Sequence, residues 1–383
     1  MLKLNPYLNQ IEISIIRKFS EEAKKIVGTV DKPIINLAVG EPDLPQPKII
    51  IDETVKYMQS SPLTYPQLGG VLELRKEIAK YHSEKYSVSV TPEEILVTVG
   101  STEALSTTLN AIIQKGDEVL CGVPIYSGYE PVIKLRGGTL IKIDTEKTGY
   151  QLTVELLEEN LTDKTRAIVL NYPCNPSGVV LSKKNRDEIL EFAKKNNLFL
   201  ISDEVYSEIV FEKSFNSFLS DEYRENVIVV NSFSKSHSLT GWRIGYLITS
   251  KKIRNELLKI HQYTVTSPPI ISQYGAIIAL KKCQDISENL KIYSERSKVV
   301  YDELKKIGLN PIKPEGGIYI FLPLKELGFK DSYDFCLKFL EEEKVVLIPG
   351  IAFSMEGFVR ISLIQEKTIL LEAINRLRRF FKK

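Results

Sequence analysis

The chain has 383 residues, with Lys+Arg 51 against Asp+Glu 49, a formal charge of +2 and 43% hydrophobic residues. That length exceeds one simple core and suits two lobes, and the near-even balance excludes a basic nucleic-acid footprint or an acidic tail. Four cysteines without a CxxC pair and only three histidines argue against a metal site or a disulfide framework.

The N-terminal stretch MLKLNPYLNQIEISIIRK lacks a signal-type apolar segment. No run approaches the roughly 18 apolar residues that cross a bilayer. A cytoplasmic protein with no membrane or nucleic-acid partner is expected. Lys-rich stretches such as KKC and RRFFKK read as solvated helix faces and ends.

In chain order, residues 1–45 predict an N-terminal arm that joins a smaller lobe. Across 46–280 short apolar runs alternate with helical patterns. ILVTV (95–99), EVLCGV (118–123), TLIKI (139–143), AIVL (167–170), LFLIS (198–202) and VIVV (227–230) predict strands. STEALSTTLNAIIQK and KKNRDEILEFAKKNN carry apolar residues at helical spacing. Strands that are continuously apolar predict a sheet buried on both faces, as in parallel α/β architectures. Residues 281–383 predict a smaller α+β lobe: a long amphipathic helix over 285–307, then GGIYIFLPL, DSYDFCLKFLEEE, VVLIPG, FVRISL and TILLEAINRLRRFF.

In open parallel sheets ligands bind beyond the carboxyl ends of the strands, so the residues after each strand are the candidates. After ILVTV, Ser101 and Thr102 open a helix, where they either cap it or cradle a phosphate with the backbone N–H groups. After EVLCGV, Tyr126 is either an ordinary packed tyrosine or a platform for a planar ring. The turn NYPCNPSG presents Asn175, although turn chemistry alone accounts for such residues. After LFLIS, Asp203 is a carboxylate at the end of an apolar strand, costly unless it caps the next turn or meets a cation. After VIVV, SFSK places Lys235 as either a buried ion pair or a nucleophilic amine. Ser232 and Arg243 flank it. Taken together, a phosphate cradle, an aromatic platform, an isolated carboxylate and an amine are what pyridoxal 5'-phosphate requires of a protein.

SFSKSHSLTGWRIGY resembles the lysine signature of the fold-type I, class I/II aminotransferases. INLAVGEPD, TYPQLGGVLELR, VTVGSTEAL, NPSG, DEVY, PEGGIYIF, PGIAF and FVRISL match that family's other landmarks in order. The resemblance implies a large cofactor domain with a mostly parallel seven-stranded sheet covered by helices, plus a smaller α+β domain, as in aspartate aminotransferase. It implies a pyridoxal-phosphate-dependent transfer of an amino group between an L-amino acid and a 2-oxo acid such as 2-oxoglutarate. Lys235 would bond the cofactor aldehyde, and Asp203 would pair with its ring nitrogen. Asn175 and Tyr206 would contact the ring hydroxyl, with Tyr126 stacked on the ring. Ser232, Arg243 and the 101–102 loop would hold the phosphate. Arg360 would grip the substrate α-carboxylate, with Asn175 nearby and Gly40 leaving room. Tyr65 would reach the phosphate of a neighbouring subunit, implying a homodimer with shared active sites. The segment AFSMEGFVRIS is shorter than the glycine-rich loop of many relatives, which bears on the shape of the substrate entrance. IEISIIRKFS, SKSHSLTGWRIG and KIHQY most resemble the aminotransferase A group, some of whose members are assigned to N-acetyl-L,L-diaminopimelate. Aromatic and aspartate aminotransferases are the alternatives within the family. Beyond it stand C–S β-lyases and ligand-sensing regulators of the same fold, the latter with an added DNA-binding segment of which this sequence carries no basic arm.

Overall fold

A computed structural model of the chain describes residues 4–26 and 32–381. Residues 1–3 and 27–31 of the expected N-terminal arm and the last two lysines of RRFFKK lie outside that description. In chain order the strands are β1 (Ile35–Asn36), β2 (Ile95–Thr98), β3 (Glu118–Val123), β4 (Thr139–Asp144), β5 (Thr165–Asn171), β6 (Phe199–Asp203), β7 (Val227–Ser232), β8 (Gly245–Ile248), β9 (Tyr319–Pro323), β10 (Val345–Val346), β11 (Ile348–Pro349) and β12 (Phe358–Ser362). The helices that bear on the site are α1 (Ile15–Lys25), α2 (Lys48–Ser60), α3 (Gly100–Ile112), α4 (Tyr129–Leu135) and α5 (Phe233–Ser236).

β2 to β8 form one seven-stranded sheet in the order β2-β8-β7-β6-β5-β3-β4. The apolar runs become strands because successive side chains point to opposite faces and both faces are covered. Along β7, Val227 and Val229 enter one core cluster, while Ile228 and Val230 enter the other. Each is fully or almost fully buried, a burial that stabilises the fold by about 1.5–3 kcal/mol per side chain. The seventh strand, GYLI, follows no long apolar run of its own and pairs antiparallel with both β2 and β7. Since β8 opposes both neighbours, β2 and β7 run the same way. The carboxyl ends of β2, β3, β5, β6 and β7 therefore open on one edge, and the start of β8 lies beside them.

A second core lies outside this sheet. β9, β11 and β12 form an antiparallel sheet in the order β11-β12-β9. β1 pairs in parallel with β10, joining Ile35 to Val345 across the sequence. Phe19, Ala23, Leu37 and Ala38 from the N-terminal region pack with Val300, Phe335 and Leu340 in this cluster. Phe19 and Ala23, four residues apart on α1, seat that helix on the core. The strand segment that carries Arg360 is thereby brought against the open edge of the large sheet.

Candidate active site

The edge forms a cleft of about 490 Å³ lined by residues from both cores, among them Arg17, Gly40, Ser101, Thr102, Tyr126, Asn175, Asp203, Tyr206, Lys235, Arg243 and Arg360. Residues far apart in sequence meet there because five strand ends converge.

Asp203 closes β6 and is 4% exposed. Its Oδ2 accepts a 2.7 Å hydrogen bond from the Tyr129 hydroxyl, and the backbone N–H of Val205 reaches Oδ1 at 3.4 Å. Burial pushes its pKa up to about 6, while Tyr129, Val205 and the nearby Lys235 charge work against that rise. Tyr129 is fully buried, and its own pKa is driven well above the ordinary phenol value, first by burial and then by Asp203. It therefore remains the donor. Asn171, the last residue of β5, donates through Nδ2 to the Asp203 carbonyl at 3.0 Å and also lines the cleft.

Lys235 stands on the short helix α5, just past β7, and donates through Nζ to the Gly40 carbonyl. Its amine lies 5.9 Å from the centre of the Tyr206 ring. The Tyr206 and Tyr319 hydroxyls are 2.8 Å apart, both in buried residues. Gly40 is required by close approach, since a Cβ there would overlap the Tyr319 hydroxyl.

Arg360 lies on β12 and is 2% exposed. Its Nη1 donates to Asn175 Oδ1 at 3.0 Å and its Nη2 to the Ala38 carbonyl. The guanidinium lies 4.3 Å from the Tyr319 ring centre and 4.9 Å from that of Phe353. Its Nε has no partner, and among the described residues no carboxylate pairs with it. A buried guanidinium held only by neutral acceptors is costly unless an anion completes its shell.

The first turn of α3 supplies Ser101 and Thr102. The N-cap residue Val99 offers no side-chain acceptor and Glu103 Oε2 accepts only from the Val99 N–H at 3.1 Å, which leaves the N–H groups of Gly100, Ser101 and Thr102 to an anion. Arg243 reaches the same corner, because a Cβ on Gly100 would lie 2.6 Å from Arg243 Nη2. Tyr126 lines the cleft with its ring edge-on to Tyr129 at 5.4 Å. The donor set thus offers an anion corner, an aromatic face, a buried carboxylate and a primary amine, which fits pyridoxal 5'-phosphate.

Two of the expected residues are not on the lining. Ser232 is buried and caps α5, its hydroxyl accepting from the Ser234 N–H at 3.4 Å; Ser234 lines the cleft instead. Tyr65 is 89% exposed and absent from its own chain's cleft. Sequence reasoning in turn passed over Asn171, Tyr129, Tyr319 and Arg17. Asn171 carries the strand-end signal that singled out Asp203, Tyr129 follows β3 in the same stretch as Tyr126, and Tyr319 lies within the landmark PEGGIYIF.

The family model described as aminotransferase class I and II matches residues 32–377. The chain belongs to that family. It is an aminotransferase. An aspartate aminotransferase of Thermotoga maritima is 37% identical over 97% of this chain and 98% of its own length. A probable N-acetyl-LL-diaminopimelate aminotransferase of Bacillus subtilis is 38% identical over 98% and 95%. The crystal structure of a Thermotoga maritima aspartate aminotransferase superposes with a TM-score of 0.94, at 35% identity, covering 99% of this chain and 100% of that one. No helix among the described residues is long and apolar enough to cross a membrane.

Proposed function

We propose that the cleft holds pyridoxal 5'-phosphate and moves an amino group between an L-amino acid and a 2-oxo acid such as 2-oxoglutarate. The buried Arg360 guanidinium, without a carboxylate yet facing the same cleft as Lys235 and Asp203, carries this reading. It offers a seat for the substrate α-carboxylate, where a bidentate pair is strong and directional. Arg243, the first turn of α3 with Ser101 and Thr102, and Ser232 through the α5 turn hold the phosphate. Tyr126 supports the ring, and Asn175 and Tyr206 reach its hydroxyl. When bound, the cofactor supplies an aldehyde that carries the amino group and a ring that takes up the electron pair released at the substrate α-carbon.

Asp203, held ionised by Tyr129, would pair with the ring nitrogen and favour its protonated form. Lys235 would hold the cofactor through its Nζ, and the same amine would take the proton from the substrate α-carbon and hold it for return. Arg360 orients the substrate by its α-carboxylate, and Gly40 leaves space beside it. The enzyme acts in the cytoplasm as a homodimer, with Tyr65 of each subunit serving the other's phosphate corner. The relatives named for aspartate and for N-acetyl-LL-diaminopimelate supply the amino donors to test first.

Borohydride reduction followed by peptide mapping tests the assignment. The reduced adduct is expected on Lys235, and an adduct on another lysine overturns it. Lys235→Ala is expected to retain the cofactor non-covalently and to lose turnover.

A further inference from the structure

One side chain of the cleft lining touches both Arg360 and Tyr206. Tyr319 opens β9 and is 1% exposed. β9 and β12 are antiparallel, and their register sets Arg360 opposite Phe321. Tyr319, two residues earlier, shares a face with Arg360 as its diagonal neighbour, within reach of an aromatic and a long side chain. The guanidinium accordingly lies 4.3 Å from the Tyr319 ring centre. No carboxylate pairs with it among the described residues, so that aromatic face offsets part of the cost of burying the charge.

The hydroxyl end of Tyr319 meets the large sheet. It lies 2.8 Å from the hydroxyl of Tyr206, which follows β6. The two tyrosines pack in one cluster with Tyr293, Ile318 and Ile364. Each phenol brings one proton. Tyr206 remains a phenol, because burial and then Tyr319 drive its pKa well above the ordinary value. If its proton is given to the cofactor hydroxyl, as proposed, the proton between the two tyrosines is that of Tyr319. Such a chain of donors strengthens each of its members. Position 40 is kept clear for this arrangement, since a Cβ on Gly40 would overlap the Tyr319 hydroxyl. Both residues assigned to the ring hydroxyl are thus tied to Arg360: Asn175 directly, at 3.0 Å, and Tyr206 by way of Tyr319.

We infer that Tyr319 is a positioning residue for the transfer: its ring holds Arg360 for the α-carboxylate, and its hydroxyl directs the Tyr206 proton to the cofactor. The inference rests on the assignments of Arg360 and Tyr206 made above. The two functions of the one side chain separate by substitution. Tyr319→Phe keeps the ring and loses the donor, whereas Tyr319→Leu loses both.

Two quantities are measured on the holoenzyme: the dissociation constant of pyridoxal phosphate, and the affinity for propionate, an inert acid with a single carboxylate, followed by the absorbance of the bound cofactor. Tyr319→Phe is expected to weaken the cofactor roughly 2- to 10-fold, the scale of one neutral hydrogen bond, and propionate by less than about twofold. In a Tyr206→Phe background the same substitution should change cofactor binding by less than about twofold, since the donor then supports no chain. Tyr319→Leu is expected to weaken propionate roughly 5- to 30-fold, the scale of a desolvated cation–π contact. A merely structural role gives the same cofactor loss in both backgrounds, and that result overturns the inference. So does an unchanged cofactor affinity in Tyr319→Phe, which decides the matter even where Tyr319→Leu does not fold, and so does an unchanged propionate affinity in Tyr319→Leu. Two controls isolate the underlying reading. If wild type and Arg360→Gln respond alike to propionate, the α-carboxylate seat is lost; if Tyr206→Phe alone leaves cofactor binding unchanged, the assignment of Tyr206 is lost. Both outcomes are separate from failure of Tyr319.

Discussion

Tyr129 is the residue on which the behaviour of Asp203 turns. A carboxylate 4% exposed at the end of an apolar strand tends to take up a proton, and burial alone moves it in that direction. Asp203 is ionised above about pH 6 and protonated below it, so its ability to hold a charged ring nitrogen fades as pH falls through that value. Tyr129→Phe removes the 2.7 Å donor, and we expect this fading to begin at a pH roughly one to two units higher, the scale of a charged hydrogen bond. The measurement is the dissociation constant of pyridoxal phosphate against pH for wild type, Tyr129→Phe and Asp203→Asn. The phosphate titrates near the same pH in all three, so the differences between profiles are the readout. Asp203→Asn should lack the Asp203 step and lose most proton-abstraction activity. Superimposable profiles for wild type and Tyr129→Phe would remove Tyr129 from this role.

At the scale of elements, the end of β6 does two jobs because a strand alternates its faces. Asp203 turns to the cleft. Glu204 turns away and accepts from Ser202 Oγ at 3.0 Å, Ser217 Oγ at 2.7 Å and the Phe218 N–H at 2.8 Å. It thus ties a later loop to the strand that positions Asp203. Burial pushes the Glu204 pKa up to about 7, against the pull of those donors. Below about pH 4.5 this carboxyl is protonated in both folded and unfolded chains. As pH rises to about 7 the unfolded chain ionises first, so stability falls across that window, by on the order of 3 kcal/mol from this group. Glu204→Gln should flatten that part of the profile in cofactor-free protein. Denaturant midpoints of wild type and variant at pH 5 and pH 7.5 check it, the contribution of Asp203 being common to both. An equal drop in both proteins would place the buried charge elsewhere.

Across the whole molecule, the exposed face of α2 and the segment after it is unusually apolar for a free surface. Ile51, Val55, Met58, Leu63, Tyr65, Leu68 and Leu72 are all exposed, a grouping that suits a partner surface. The homodimer proposed above, with a second copy carrying Tyr65 to the neighbouring phosphate corner, would account for both the grouping and the absence of Tyr65 from its own cleft. The division into an arm over 1–45, a large domain over 46–280 and a small domain over 281–383 is a proposal; α1 and Ile35 of β1 pack in the cluster that holds Phe335 and Leu340, while Tyr206 packs with Tyr293 and Tyr319 across the proposed boundary. Shared sites make a definite demand on mixed dimers. A Tyr65→Phe protomer combined with a Lys235→Ala protomer should have one site with both lesions and one with neither. Such heterodimers should recover about half of the wild-type activity, since one of two sites is intact. Verified heterodimers that stay inactive would assign Tyr65 to its own subunit.

Local pattern by itself determines much of this protein. Six strands are legible as apolar runs, five of them buried on both faces and β4, at the sheet edge, mixing buried and exposed residues. Reading past their ends reaches Ser101, Thr102, Tyr126, Asn175, Asp203 and Lys235, because parallel strands deliver their ends to one edge whatever lies between. β8 escapes such reading, being four residues with one glycine inside a loop-like signature. Arg360, Gly40 and Tyr65 enter only through family resemblance, since nothing beside them in sequence marks a site. The remaining contacts belong to the tertiary structure. Tyr129 meets Asp203 across 74 residues, Tyr206 meets Tyr319 across 113, and Arg360 meets Asn175 across 185. Arg17 comes to the cleft only because Phe19 and β1 dock the N-terminal segment on a core built largely from the last hundred residues. A hydrogen bond or a shared charge depends on distance in space, and no sequence window holds both partners.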